Sequence, residues 1–268
     1  MSLRPELPIG VFDSGIGGLT VVRALLERLP NERILYFGDT ARVPYGVKSP
    51  ETVAQYAAQI TDFLLERQVK LLIVACNTMA AVAAEAIRAR SPVPVLDVIE
   101  VGARVAAAAT RNREVGVIGT LTTVRSSAYE HAIHGHDAAI RIHGQACPLF
   151  VPLVEEGWLD HPVTRLTAEE YLAPLLARRI DTLVLGCTHY PLLAPLLQQV
   201  AGDSIRLVDS AATTAERVAA LLERDRLLNP GDNLPQHRFF VTDVPQRFQA
   251  VGERFLGRLL PEIEVVKW

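Results

Sequence analysis

Cysteine, aromatic residues and uncompensated charge are all scarce in this sequence. Three cysteines in 268 residues cannot build a disulfide framework. Each thiol is therefore catalytic, metal-binding or simply buried. No apolar stretch approaches the roughly 18 residues that a membrane span requires. The opening segment Met1-Ser2-Leu3-Arg4-Pro5-Glu6-Leu7-Pro8 has no apolar signal core, so a cytoplasmic protein without membrane association is expected. Lys and Arg number 27 against 30 Asp and Glu, and no basic run stands out, which removes the electrostatic case for nucleic acid. A small-molecule partner is expected instead.

Several motifs are also missing. No Cys-x-x-Cys or spaced His pair accompanies Cys187 and His189, so a structural metal is not expected. The chain lacks a Gly-x-Ser-x-Gly nucleophile elbow. A Cys187–His189 nucleophile pair would make a cysteine-dependent hydrolase, but it leaves Cys76 without a role. The glycine-rich segment Asp13-Ser14-Gly15-Ile16-Gly17-Gly18 fails as a dinucleotide fingerprint because Thr20 stands where a glycine is needed, and no Gly-Lys-Ser/Thr follows. Its backbone N–H groups still suit a smaller anion such as a carboxylate.

What is present is alternation. Apolar runs at about 8–12, 33–37, 70–75, 93–96, 115–118, 139–143, 181–186, 205–208 and 238–242 are separated by helical patterns such as 18–28, 51–67 and 78–90. That order predicts parallel α/β layers. Two runs, Leu71-Leu72-Ile73-Val74-Ala75-Cys76-Asn77-Thr78 and Thr182-Leu183-Val184-Leu185-Gly186-Cys187-Thr188-His189, each end in a cysteine followed by small polar residues. Both cysteines are thereby expected at the carboxyl ends of buried strands, where open sheets bind ligands.

The chain also repeats itself. Ile9-Gly10-Val11-Phe12-Asp13-Ser14 is echoed by Val115-Gly116-Val117-Ile118-Gly119-Thr120, and in each half a second strand ends in glycine 28 residues after the first glycine. The cysteines follow 38 and 43 residues later. Two similar open-sheet α/β domains related by pseudo-symmetry are expected, with the active site in the cleft between them. The first is expected over 1–98 with 211–268, and the second over 99–210. The strand near 238–242 and a last one at 263–266 fit either sheet.

Five segments together resemble the glutamate racemases of the cofactor-independent aspartate/glutamate racemase superfamily: 10–21, 36–46, Ala75-Cys76-Asn77-Thr78, Ala146-Cys147-Pro148 and Gly186-Cys187-Thr188-His189-Tyr190-Pro191-Leu192. The resemblance implies interconversion of L- and D-glutamate without a cofactor, supplying D-glutamate for peptidoglycan. It further implies a homodimer. Related acids such as aspartate are the alternative substrates within the superfamily.

By the same resemblance Cys76 acts on the D-glutamate face and Cys187 on the L-glutamate face, with Asp13 assisting the first and His189 the second. Glu155 is expected to tune Cys187 or His189. The implied substrate contacts are Asp13, Ser14, Pro44, Tyr45, Gly46, Asn77, Thr78, Thr188 and His189, with Thr120 and Thr122 added by the repeat. Hydroxyls, amides and backbone N–H groups suit a dicarboxylate that also carries an ammonium. Cys147 lacks a counterpart in the first half and is expected to be structural.

Overall fold

The computed structural model describes residues 3–231, 235–260 and 262–268. Four parallel strands, β1 (Ile9–Asp13), β2 (Ile34–Gly38), β3 (Leu71–Val74) and β4 (Val95–Asp97), lie in the order β2-β1-β3-β4. The next four, β5 (Glu114–Gly119), β6 (Arg141–Ala146), β7 (Thr182–Gly186) and β8 (Arg206–Asp209), repeat that order as β6-β5-β7-β8 in a second parallel sheet. The sequence repeat thus corresponds to a repeated topology. In it β3 and β7 are equivalent, and both end at a cysteine.

The last two strands settle the open question of the C-terminal segment. β9 (Arg238–Val241) pairs with β2, and β10 (Ile263–Val265) extends the same sheet beyond it. The physical reason is β2 itself, whose five residues Ile34-Leu35-Tyr36-Phe37-Gly38 are all buried and would otherwise present an apolar edge. In the second sheet the corresponding edge strand, β6, is only partly covered and carries Arg141 outward.

The helices are α1 (Leu19–Arg28), α2 (Pro50–Glu66), α3 (Asn77–Arg90), α4 (Val98–Ala109), α5 (Leu121–Arg125), α6 (Ala128–His134), α7 (Phe150–Glu155), α8 (Pro162–Leu176), α9 (Ala194–Ala201), α10 (Ser210–Arg224) and α11 (Pro245–Leu256). They cover the sheet faces, which is why β1, β3 and β7 are buried at every residue. Local chemistry fixes their starts. Ser49 caps α2 ahead of Pro50, and Asp97 Oδ1 accepts from the N–H groups of Ile99 and Glu100 to open α4. At the amino ends of the first sheet, buried Lys70 pairs with Glu32 at 2.6 Å and donates to the carbonyls of Pro5 and Leu227, tying the segments before β1 and after α10 to the start of β3.

Candidate active site

Strand β3 stops at Val74, and Cys76 occupies the cap position of α3, with Asn77 and Thr78 in the first turn. The thiol is 5% exposed and lies 3.5 Å from Ser14 Oγ, which follows the end of β1. Burial pushes its pKa up to about 12, and the charge of Asp13 adds to that, against a smaller opposing effect of Ser14. Cys76 therefore rests as the thiol at neutral pH. Asp13 is itself buried, and burial raises its pKa, although Gly15 N–H donates to Oδ2 at 2.9 Å and nearby His189 partly compensates. Among the described residues Asp13 makes no hydrogen bond to Cys76. Its effect there is electrostatic.

The equivalent turn after β7 has a different character. Cys187, 6% exposed, lies 3.9 Å from His189 Nδ1, while His189 Nε2 meets Glu155 Oε1 at 3.0 Å. Arg247 of α11 approaches the other Glu155 oxygen at 3.3 Å. Burial drives the His189 pKa down, yet the hydrogen bonds to Cys187 and Glu155 outweigh it and hold the imidazole at about 10. Its hydrogen bond from His189 keeps Glu155 below the usual carboxylate range. The two cysteines therefore have unlike settings: a buried thiol at Cys76 and a sulfur beside an imidazolium at Cys187.

The two turns touch. Thr188 Oγ1 reaches Asp13 Oδ1 at 3.4 Å, and Thr20 Oγ1 donates to the Thr188 carbonyl at 3.1 Å. Gly17 makes this approach possible, because a Cβ there would lie 2.1 Å from Thr188 Oγ1 and 2.6 Å from His189 Nδ1. On the other side of the cleft Thr78 Oγ1 meets Thr120 Oγ1 at 2.9 Å, and Thr123 Oγ1 lies 3.0 Å from Thr120. Buried Asn77 accepts through Oδ1 from Tyr129 at 2.7 Å, and its Nδ2 has no partner among the described residues. A free buried donor beside a cluster of hydroxyls is suited to a carboxylate.

Other expected residues are placed with equal clarity. Pro44 leads into a short 3₁₀ turn at Tyr45–Val47, and the Gly46 carbonyl accepts from Thr122 Oγ1 at 2.8 Å, so Thr122 holds the loop against the second lobe. Tyr45 is buried with its hydroxyl committed to Asp39, which also accepts from Thr242 and pairs with Arg42. Cys147 is buried within the second lobe, where its carbonyl accepts from Tyr190. Four contributors were absent from the sequence expectations: Thr20, Thr123, Tyr129 and Arg247. Thr20 stands in the first turn of α1 just after the glycine-rich segment and Thr123 lies three residues after Thr120, whereas Tyr129 and Arg247 reach the site from α6 and α11.

No group of three or more potential metal ligands occurs among the described residues, and none of their helices is long and apolar enough to cross a membrane. A cavity of about 620 Å³ opens beside Arg111, Asp181 and Arg206 at the amino ends of β7 and β8. It is remote from the cysteines. The thiols instead lie buried at the opposite strand ends.

Residues 9–218 match the Asp/Glu/Hydantoin racemase family. The chain is 68% identical over 264 residues to a glutamate racemase of Syntrophus aciditrophicus, covering 98% of each. It is 60% identical to a glutamate racemase of Neisseria meningitidis serogroup A, covering 97% of each. Among solved structures it is similar to the Francisella tularensis glutamate racemase in complex with D-glutamate, with a TM-score of 0.93, 40% identity and 98% of each chain covered.

Proposed function

This chain belongs to the Asp/Glu/Hydantoin racemase family, and within it we propose a glutamate racemase that works through two cysteines without a cofactor. The observation that carries this reading is the pair of matched strand ends, one holding a buried thiol and the other a sulfur beside an imidazolium. Racemisation needs a base on one face of the α-carbon and an acid on the other. The unlike settings of Cys76 and Cys187 provide both in one resting enzyme.

With L-glutamate, the Cys187 thiolate takes the α-proton as the C–H bond breaks, and the electron pair moves into the α-carboxylate. The Cys76 thiol then protonates the opposite face of the α-carbon, leaving Cys76 as thiolate and Cys187 as thiol. D-glutamate follows the reverse path from that state. A carboxylate of the substrate is met by Asn77 Nδ2 and the hydroxyls of Thr78 and Thr120. Ser14 lies against the Cys76 sulfur, and the loop Pro44-Tyr45-Gly46 completes the binding side facing α5. Asp13 acts through its charge on Cys76, and Glu155 through His189.

The product supplies D-glutamate to peptidoglycan synthesis. The enzyme is read as a cytoplasmic homodimer whose lobes are residues 1–98 with 211–268 and residues 99–210. Incubating the purified protein with each enantiomer in D₂O, with no added cofactor, tests the reading. Early in the reaction deuterium is expected in the product enantiomer and not in the remaining substrate, because opposite faces are served by different thiols. Equal labelling of both pools would refute the two-base assignment. Racemisation of aspartate with glutamate unchanged would refute the substrate.

A further inference from the structure

Asn77 presents an asymmetry that the catalytic pair does not explain. Its side-chain oxygen accepts from Tyr129 Oη at 2.7 Å, while its buried Nδ2 has no partner among the described residues. An asparagine amide has two ends of opposite polarity, and rotation of the amide exchanges them. Which end faces the cleft matters, since a donor attracts a substrate carboxylate and an acceptor repels it.

Tyr129, on α6, makes no other hydrogen bond through its hydroxyl among the described residues. If the amide were reversed, Nδ2 would donate to the phenol oxygen and the buried phenol proton would lose its acceptor. The proton stays on: burial, with Asp97, Cys187 and Asp209 nearby, drives the phenol pKa upward. The ring is held by the second lobe. A Cβ at Gly186, the residue before Cys187, would come within 3.1 Å of ring carbon Cε2. One side chain thereby connects the amide next to Cys76 with the strand that delivers Cys187.

We propose that Tyr129 is a positioning residue for the substrate, its hydroxyl locking the Asn77 amide with Nδ2 toward a carboxylate of the bound amino acid. The proposal rests on the glutamate racemase reading. Tyr129 does not touch the reacting atoms, so its contribution appears in binding and passes entirely through Asn77.

The test is a cycle of Tyr129→Phe, Asn77→Ala and the double variant, each assayed with both glutamate enantiomers. Phenylalanine keeps the ring and its packing. Tyr129→Phe is expected to raise KM for both enantiomers about 3- to 10-fold, the loss of one hydrogen bond, with kcat changed less than about twofold. Because the enantiomers have equal energies, kcat/KM must fall by the same factor in both directions. In the Asn77→Ala background the second substitution is expected to leave KM unchanged and to raise Tm, since it removes a hydroxyl that has become buried and unpaired. An unchanged KM in Tyr129→Phe, a fall in kcat alone, or losses that multiply in the double variant would each overturn the proposal while the active wild type keeps the racemase reading intact. A wild-type enzyme inert towards glutamate would overturn both.

Discussion

Glu155→Gln isolates the charge that supports His189. The substitution keeps the side-chain shape while converting an ionised acceptor at 3.0 Å from Nε2 into a neutral one. A hydrogen bond to a charged group contributes about 1.5–3 kcal/mol, and one between neutral groups about 0.5–1.5 kcal/mol. The imidazolium therefore loses roughly 1–1.5 kcal/mol of support, which at 1.36 kcal/mol per pH unit moves its titration down by about one pH unit. The Glu155 side chain is 23% exposed, so solvent screens this interaction only modestly. His189 begins at about 10 and is expected to fall accordingly.

The assay is the pH profile of kcat/KM for each enantiomer, followed by optical activity. The high-pH limb is expected to move down by about one unit, equally in both directions. Stability follows the same sign. Because the folded pKa of His189 is raised above its ordinary 6.5, its contribution is complete below that pH and is lost as pH rises through about 10. The Tm of the variant should therefore lie below that of the wild type near neutrality, with the gap closing above pH 10. An unmoved limb, or one displaced upward, would refute the role of Glu155 as the counterion.

Cys76→Ala and Cys187→Ala are each expected to lower racemisation by about 10²–10⁴-fold or more in polarimetry, with near-normal turnover in either counting against the two-thiol mechanism. Gly17→Ala drives a Cβ toward Thr188 Oγ1 and His189 Nδ1, so about 1–3 kcal/mol of stability should be lost in urea titration, together with kcat. Lys70→Met strands the Glu32 carboxylate and two backbone carbonyls in the interior. A loss of about 3–5 kcal/mol is expected there by urea denaturation, with kcat of the folded enzyme unchanged because the pair lies at the far ends of the strands.

Much of this architecture was legible in the chain because its signals are local. Runs such as Leu71-Leu72-Ile73-Val74 declare doubly covered strands, and the cysteine that ends each run must then project at the carboxyl edge. Gly10 and Cys76 do correspond to Gly116 and Cys187 in the shared strand order, but the expected match of Gly38 to Gly144 fails, because Gly38 ends β2 whereas β6 runs two residues past Gly144 to Ala146. The expected Cys187–His189 proximity needed only a two-residue separation. Partners distant along the chain left no local mark. Glu155 finds His189 across 34 residues, Tyr129 finds Asn77 across 52, and Thr188 finds Asp13 across 175.

By itself, then, the sequence determined the alternating α/β plan, its duplication and the position of both thiols at strand ends, since periodicity and turn residues act over a few neighbours. The tertiary structure decided which polar groups surround each thiol and where the last two strands attach. Those choices depend on how each lobe packs its loops, on how the two sheets dock and on which buried edge remains to be covered. Cys76 and Cys187 hold equivalent places in the repeat, but each lobe packs its own neighbours around its thiol, Ser14 and the charge of Asp13 in the first and an imidazolium backed by Glu155 in the second, while docking brings Thr188 to Asp13.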